Sequence, residues 1–145
     1  MRLYFSYGSN MDRAHMARLC RGAEPLGVAH ADNHIFYIAA SGYASIAPKR
    51  NSKVYGVLWR ITAQDLSKLD AYEAVEDGLY RPVAIPVHQG KKFLRAMVYY
   101  ALDTRPGRPK TGYQEKLVAA ARSWNLPEDY VLTLEKFLPH AHAGD

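Results

Sequence analysis

The sequence predicts an α+β fold, a mixed and partly closed sheet with helices outside it. Three observations predict this. Seven short runs of apolar, β-branched and aromatic residues stand between turn signals, and only four stretches carry helical patterning. The chain has 145 residues, 48% of them hydrophobic, which suits one core of ordinary domain size. No internal repeat and no linker-like stretch divides it, so residues 1–139 are expected to form a single domain and 140–145 a flexible tail.

Leu3 to Phe5 reads as a short buried strand. It meets Gly8-Ser9-Asn10, which breaks the strand and exposes backbone, and Asp12 to Leu19 then reads as a helix. Leu26 to His30 and His34 to Ala39 read as strands joined by Ala31-Asp32-Asn33. Tyr43 to Ala47 is a strand ended by Pro48, and Lys49 to Lys53 is a basic turn. Val54 to Ile61 is a strong strand, whose Gly56 implies a close neighbour or a bulge. Thr62-Ala63-Gln64-Asp65 has the pattern of a capping box, with Asp for the usual Glu, and starts a helix through Leu66, Leu69 and Tyr72. Tyr80 to Val87 and Phe93 to Ala101 form a strand pair around Gln89-Gly90-Lys91-Lys92. Pro82 and Pro86 place the first of these at an edge or bulge. A Pro/Gly/Arg-rich loop, Ala101 to Lys110, leads to two helices, about Tyr113 to Trp124 and Glu128 to Phe137, with Pro127 at the first turn of the second.

Composition narrows the function classes. No stretch approaches the length of a membrane span and the N-terminus lacks a signal-peptide pattern, so a cytoplasmic protein without a membrane partner is expected. The single cysteine, Cys20, forms no internal disulfide and reads as a small buried hydrophobe at the end of the first helix. The net charge of +5 is spread over scattered Lys and Arg residues, the pattern of a solvated surface, and no nucleic-acid partner is expected. The six histidines lack metal-ligand spacing, so no metal is expected. Ser9 lacks a nucleophile-elbow context. Eleven tyrosines suit a polar pocket inside a small β-rich core.

Two segments carry candidate chemistry. Strand, small-residue loop and helix start, in that order, direct free backbone N–H groups of Gly8-Ser9-Asn10 toward one point, where a carboxylate or developing oxyanion would bind. The bland alternative is an ordinary turn, since Gly, Ser and Asn suit many. The second segment is Leu69 to Arg81. Glu73 follows Leu69 by four residues and so shares its inward face. Burial would raise the carboxyl pKa toward neutrality, as proton transfer requires. The alternative is an acid bonded to backbone or to an arginine such as Arg81.

Together with further landmarks, these residues carry a resemblance. Tyr7-Gly8-Ser9-Asn10, Val54-Tyr55-Gly56-Val57-Leu58-Trp59, Leu69-Asp70-Ala71-Tyr72-Glu73-Ala74-Val75, Gly78-Leu79-Tyr80, Tyr113 and Leu126-Pro127-Glu128-Asp129-Tyr130 occur in order. In this the chain resembles the γ-glutamylcyclotransferase-like family, which includes γ-glutamylamine cyclotransferases and AIG2-like proteins. The resemblance implies a six- or seven-stranded β-barrel fringed by helices, with a cavity at one mouth. It implies a small γ-glutamyl substrate held by Tyr7, Gly8, Ser9 and Asn10, with Glu73 as general acid/base. It places Tyr80 in the pocket, where its phenol would bond substrate or Glu73, and adds Tyr113 and Tyr130 as substrate-binding residues. The implied reaction is attack of the substrate's own α-amine on its γ-carbonyl, giving 5-oxoproline and a free amine, and needs no cofactor. The family's glutathione-specific relatives usually have Leu where Asn10 stands, so a γ-glutamyl amino acid or amine is the expected substrate. The chain departs from the pattern at Ala74, where the family has Gly; a positive φ there would strain Ala. A non-catalytic binding or regulatory barrel with the same cavity is the alternative.

Overall fold

A computed structural model describes residues 2–139. Five strands, β1 (Arg2–Ser6), β2 (Glu24–Ile38), β3 (Ala44–Ile61), β4 (Tyr80–Gln89) and β5 (Lys92–Ala101), close into a barrel in the order β1-β3-β2-β4-β5. Four helices accompany them: α1 (Arg13–Leu19), α2 (Ala63–Tyr72), α3 (Tyr113–Ser123) and α4 (Glu128–Glu135). The β1–β5 pair is parallel and the others are antiparallel. The expected tail at 140–145 lies outside the described residues.

The strand count is five, not six or seven, because two turns expected from the sequence are irregularities inside long strands. The pieces at 26–30 and 34–39 join in β2, and those at 43–47 and 54–61 join in β3. Asp32 opposes Lys53 but His34 opposes Pro48, so the ribbon shifts register there. Asn33 and Asn51 take up the shift with φ of 57° and 64°, a conformation Asn tolerates better than most residues. The Asn51 N–H donates to Asn33 Oδ1 at 3.1 Å, so the two strands stay joined through the bend.

Gly56 has the close neighbour its sequence context implied. The Ser6 carbonyl of β1 occupies the space a Cβ would take, and Phe5 Cζ would lie 3.0 Å away. The close approach comes where the β1–β3 pairing ends at Ser6–Val57 and the chain leaves β1 for the loop that follows. Phe5, Val57, Leu58 and Val98 are fully buried. Pro82 and Pro86 lie on the part of β4 that β2 leaves unpaired, since β2 and β4 pair at His30–His88 alone.

Local chemistry sets the helix ends. Asp12 accepts from the His15 N–H at the start of α1. The capping box of α2 is complete: the Asp65 N–H donates to Thr62 Oγ1, and the Thr62 N–H donates to Asp65 Oδ2. Cys20 is buried at the end of α1 and its thiol is pushed up to about 11 by burial, as an inert packing group should be. Arg122 bridges α3 to α4 through Glu128 and Glu135. None of the described helices is long and apolar enough to cross a membrane.

Candidate active site

The loop after β1 leaves the barrel at Ser6, whose hydroxyl accepts from Trp59 Nε1 at 2.9 Å and donates to the Val57 carbonyl. Tyr7 then turns inward and its hydroxyl donates to the Tyr99 carbonyl at 2.6 Å. Ser9 to Met11 make one tight turn closed by the Met11 N–H on the Gly8 carbonyl. The Ser9 and Asn10 N–H groups find no acceptor among the described residues. Asn10 is buried and its Nδ2 donates to the Tyr4 hydroxyl at 2.8 Å. Gly8 lies beside Tyr113: a Cβ on it would sit 3.4 Å from the Tyr113 hydroxyl and 3.5 Å from Ala44 Cβ.

Opposite this loop stands the end of α2. Glu73 is its C-cap, and the next residues form a Schellman motif. The Val75 N–H bonds the Asp70 carbonyl at 3.0 Å and the Ala74 N–H bonds the Ala71 carbonyl at 3.1 Å. This motif requires a left-handed residue where the helix stops, and Ala74 supplies it at φ 53°. The positive φ is therefore real, and a residue with a Cβ occupies it. Asp70, one turn back, accepts a 2.6 Å hydrogen bond from Tyr99 of β5, which ties the end of α2 to the barrel wall.

The Glu73 carboxyl is partly buried, and burial alone raises it to about 7. Arg81 is not its partner; the guanidinium lies over the Tyr100 ring, 5.4 Å from the centroid. A carboxylate left without a cation in a buried place is costly when ionised. Phenols surround it. Burial raises the hydroxyls of Tyr4, Tyr7, Tyr80 and Tyr113, and the Glu73 charge adds to each shift.

Loop, helix end and wall enclose a cavity of about 880 Å³, within the range of small-molecule sites. Tyr7, Gly8, Ser9, Asn10, Glu73, Tyr80 and Tyr113 all line it. Tyr130 does not. It sits on α4 with its ring 5.3 Å from that of Tyr55, because α4 packs on the outer side of the barrel. The Tyr80 hydroxyl donates to the Ala44 carbonyl at 2.6 Å rather than to Glu73. The Ala44 N–H in turn donates to the Tyr113 hydroxyl at 3.1 Å, so two phenols clamp the start of β3.

Sequence reasoning missed a polar arc in the lining: Arg18 from α1 and Lys110 and Lys116 from the segment around the start of α3 are its cations, and beside Arg18 stands His15, whose imidazolium is disfavoured by burial. The signal for the first pair was available, since positions 15 and 18 share a helix face directly after the loop. Nothing local marks Lys110 or Lys116, which reach the cavity through the long connection after β5.

The chain as a whole is similar to several known proteins. The γ-glutamylcyclotransferase of Bos taurus is 28% identical over 98% of this chain and 81% of its own length. That of Mus musculus is 27% identical over the same shares. A solved structure titled gamma-glutamyl cyclotransferase superposes with a TM-score of 0.89 at 22% identity, covering 99% of this chain and 92% of its own. The family model described as AIG2-like matches residues 53–134, the span from the middle of β3 to the end of α4 that includes Glu73 and Tyr113. The chain belongs to the AIG2-like family.

Proposed function

We propose that this protein is a γ-glutamylcyclotransferase, and that it cyclises the γ-glutamyl group of a γ-glutamyl amino acid to 5-oxoproline with release of the amino acid. The observation that carries this is Glu73: a carboxyl with no ion-pair partner among the described residues, raised to about 7, facing a cavity whose opposite rim offers free backbone N–H groups. Named γ-glutamylcyclotransferases similar to the whole chain support the reaction class.

Ionised Glu73 takes a proton from the substrate's α-ammonium, and the freed amine attacks the γ-carbonyl carbon. The carbonyl oxygen becomes an oxyanion in reach of the Ser9 and Asn10 N–H groups. Glu73 returns its proton to the amide nitrogen as the oxyanion collapses and the C–N bond breaks; the extra proton left on the ring nitrogen then passes through Glu73 to the released amine, which leaves as an ammonium, and no water is consumed. The cavity must hold the substrate bent so that amine and carbonyl meet, which is catalysis by orientation. The cations Arg18, Lys110 and Lys116 support a substrate with two carboxylates, one on the glutamyl group and one on the leaving group. A γ-glutamyl amine offers only one.

The test is 5-oxoproline release from γ-glutamyl amino acids and γ-glutamyl alkylamines by wild type and Glu73→Gln. The Gln variant keeps the shape and loses the acid/base, so turnover should fall roughly 100-fold or more while ligand binding persists. Near-normal turnover in Glu73→Gln would remove Glu73 from the mechanism. Ligand binding by wild type without 5-oxoproline release would show a binding barrel instead. A preference for alkylamines would refute the role given to the cations.

A further inference from the structure

His30, Asp32 and His88 come together on the outer face of the barrel, and no step of the proposed reaction uses them. His30 and Asp32 alternate along β2 with Ala29 and Ala31, which are buried, so the pair points away from the core. His88 of β4 is paired directly with His30. One ligand atom from each of the three residues lies within 4.8 Å of the other two. His30 Nε2 is 3.4 Å from Asp32 Oδ1, and His88 Nε2 is 3.3 Å from Asp32 Oδ2. None of the three lines the cavity.

We propose that these three residues form a binding site for a divalent transition-metal ion such as Zn²⁺, with solvent completing the coordination, and that the ion clips β2 to β4. Tetrahedral zinc with bonds of about 2.0–2.1 Å holds neighbouring ligand atoms about 3.3 Å apart, and each imidazole Nε2 already stands at 3.3–3.4 Å from one of the two Asp32 oxygens, so a small turn of the carboxylate brings one oxygen to both. Two imidazoles and one carboxylate are a donor set suited to zinc and its neighbours in the first row, and one that leaves an open position. The two imidazole rings are held side by side. They stack with centroids 5.1 Å apart and planes 12° from parallel. Tyr55 supports the His30 ring at 5.4 Å and Phe93 the His88 ring at 4.6 Å. Lys53, the cross-strand neighbour of Asp32, has its ammonium 6.0 Å from the centre of the Tyr55 ring and makes no ion pair with Asp32 among the described residues.

The position gives the ion a structural consequence. His30–His88 is the one residue pair at which β2 and β4 meet in the ladder, as Tyr4–Met97 is for β1 and β5, so this is one of two thin seams of the barrel. An ion bound across it to the native state alone would raise stability in proportion to its occupancy.

The test is calorimetric titration of metal-free protein with zinc chloride at pH 7.5, together with thermal melts. Wild type should bind one ion and melt at a higher temperature with zinc. Asp32→Asn keeps the side-chain shape and should weaken binding about tenfold or more and lose the melting shift, as should His88→Ala. A variant with His140 and His142 both changed to Ala controls for the tail and should bind as wild type does. Unchanged affinity in Asp32→Asn, loss of the bound ion in the tail variant, or no binding by wild type would each overturn the proposal.

Discussion

Glu73 contributes differently to stability on the two sides of its titration. Its carboxyl is raised from the usual carboxylate range to about 7 in the folded protein. Between those values the native state binds more protons than the unfolded chain, so unfolding free energy falls as pH rises through this window. Glu73→Gln removes the ionisable group. Its stability relative to wild type should therefore be greater at pH 8 than at pH 4, as urea melts at the two pH values would show. The same titration predicts that kcat/KM rises with pH to a midpoint near 7, where Glu73 becomes available as a base. A midpoint near 4.5 would mean that an ordinary exposed acid controls the rate. At Tyr80 the buried hydroxyl holds the Ala44 carbonyl, so Tyr80→Phe leaves that acceptor unsatisfied. The expected cost is about 1–2 kcal/mol of stability, measured by denaturant unfolding. A fully stable Phe variant would show that the bond contributes nothing.

Among the elements, α2 shows how local chemistry and site geometry coincide. Its start is a complete capping box and its end a Schellman motif, and the catalytic candidate is the C-cap between helix and motif. Placing Glu73 there aims its side chain from a fixed helix end, with Asp70 tied to Tyr99 to hold the end in place. Ala74 carries the strain of the left-handed position, on the order of 1 kcal/mol for a residue with a Cβ. Ala74→Gly should relieve it, less the larger unfolded-chain entropy of Gly, for a net gain of roughly 0.5 kcal/mol. Thermal melts would detect this, and a loss of stability would mean that the αL geometry is not the strain it is taken to be.

At the scale of the whole molecule, barrel closure depends on close approach of β1 and β3. The Ser6 carbonyl fills the place of a Cβ at Gly56, and both partners there are backbone in a sheet, so neither can step aside. Gly56→Ala should cost about 3 kcal/mol or more and disturb the loop that follows Ser6. Solubility and unfolding midpoint would report the first effect, and 5-oxoproline release the second. A variant as stable as wild type would mean that the strands separate freely at this crossing. The barrel also explains how residues from both ends of the chain reach one cavity. The β1 loop, the end of α2 and the start of α3 open at the same mouth, which brings Asn10, Glu73 and Tyr113 together.

Much of this was legible in the sequence because it rests on interactions a few residues long. The loop Gly8-Ser9-Asn10, the capping box at Thr62 and Asp65, the inward position of Glu73 four residues after Leu69, and the demand for a glycine at position 56 follow from turn chemistry, helical spacing and steric room. Tertiary structure decided what depends on register and pairing between distant segments. Asn33 and Asn51 read locally as turns, yet cross-strand bonding carries both ribbons through them and makes five strands from seven pieces. Tyr80 and Tyr113 read as ligand contacts, yet their hydroxyls meet Ala44, a partner no local pattern names. Tyr130 has the right motif but lies on the far side of the barrel wall, and Lys110 and Lys116 reach the cavity without one. His30 and His88 are far apart along the chain and adjacent only because β2 meets β4 there. A side chain's local spacing sets the face it occupies, but the strand or helix that packs opposite sets what that face touches.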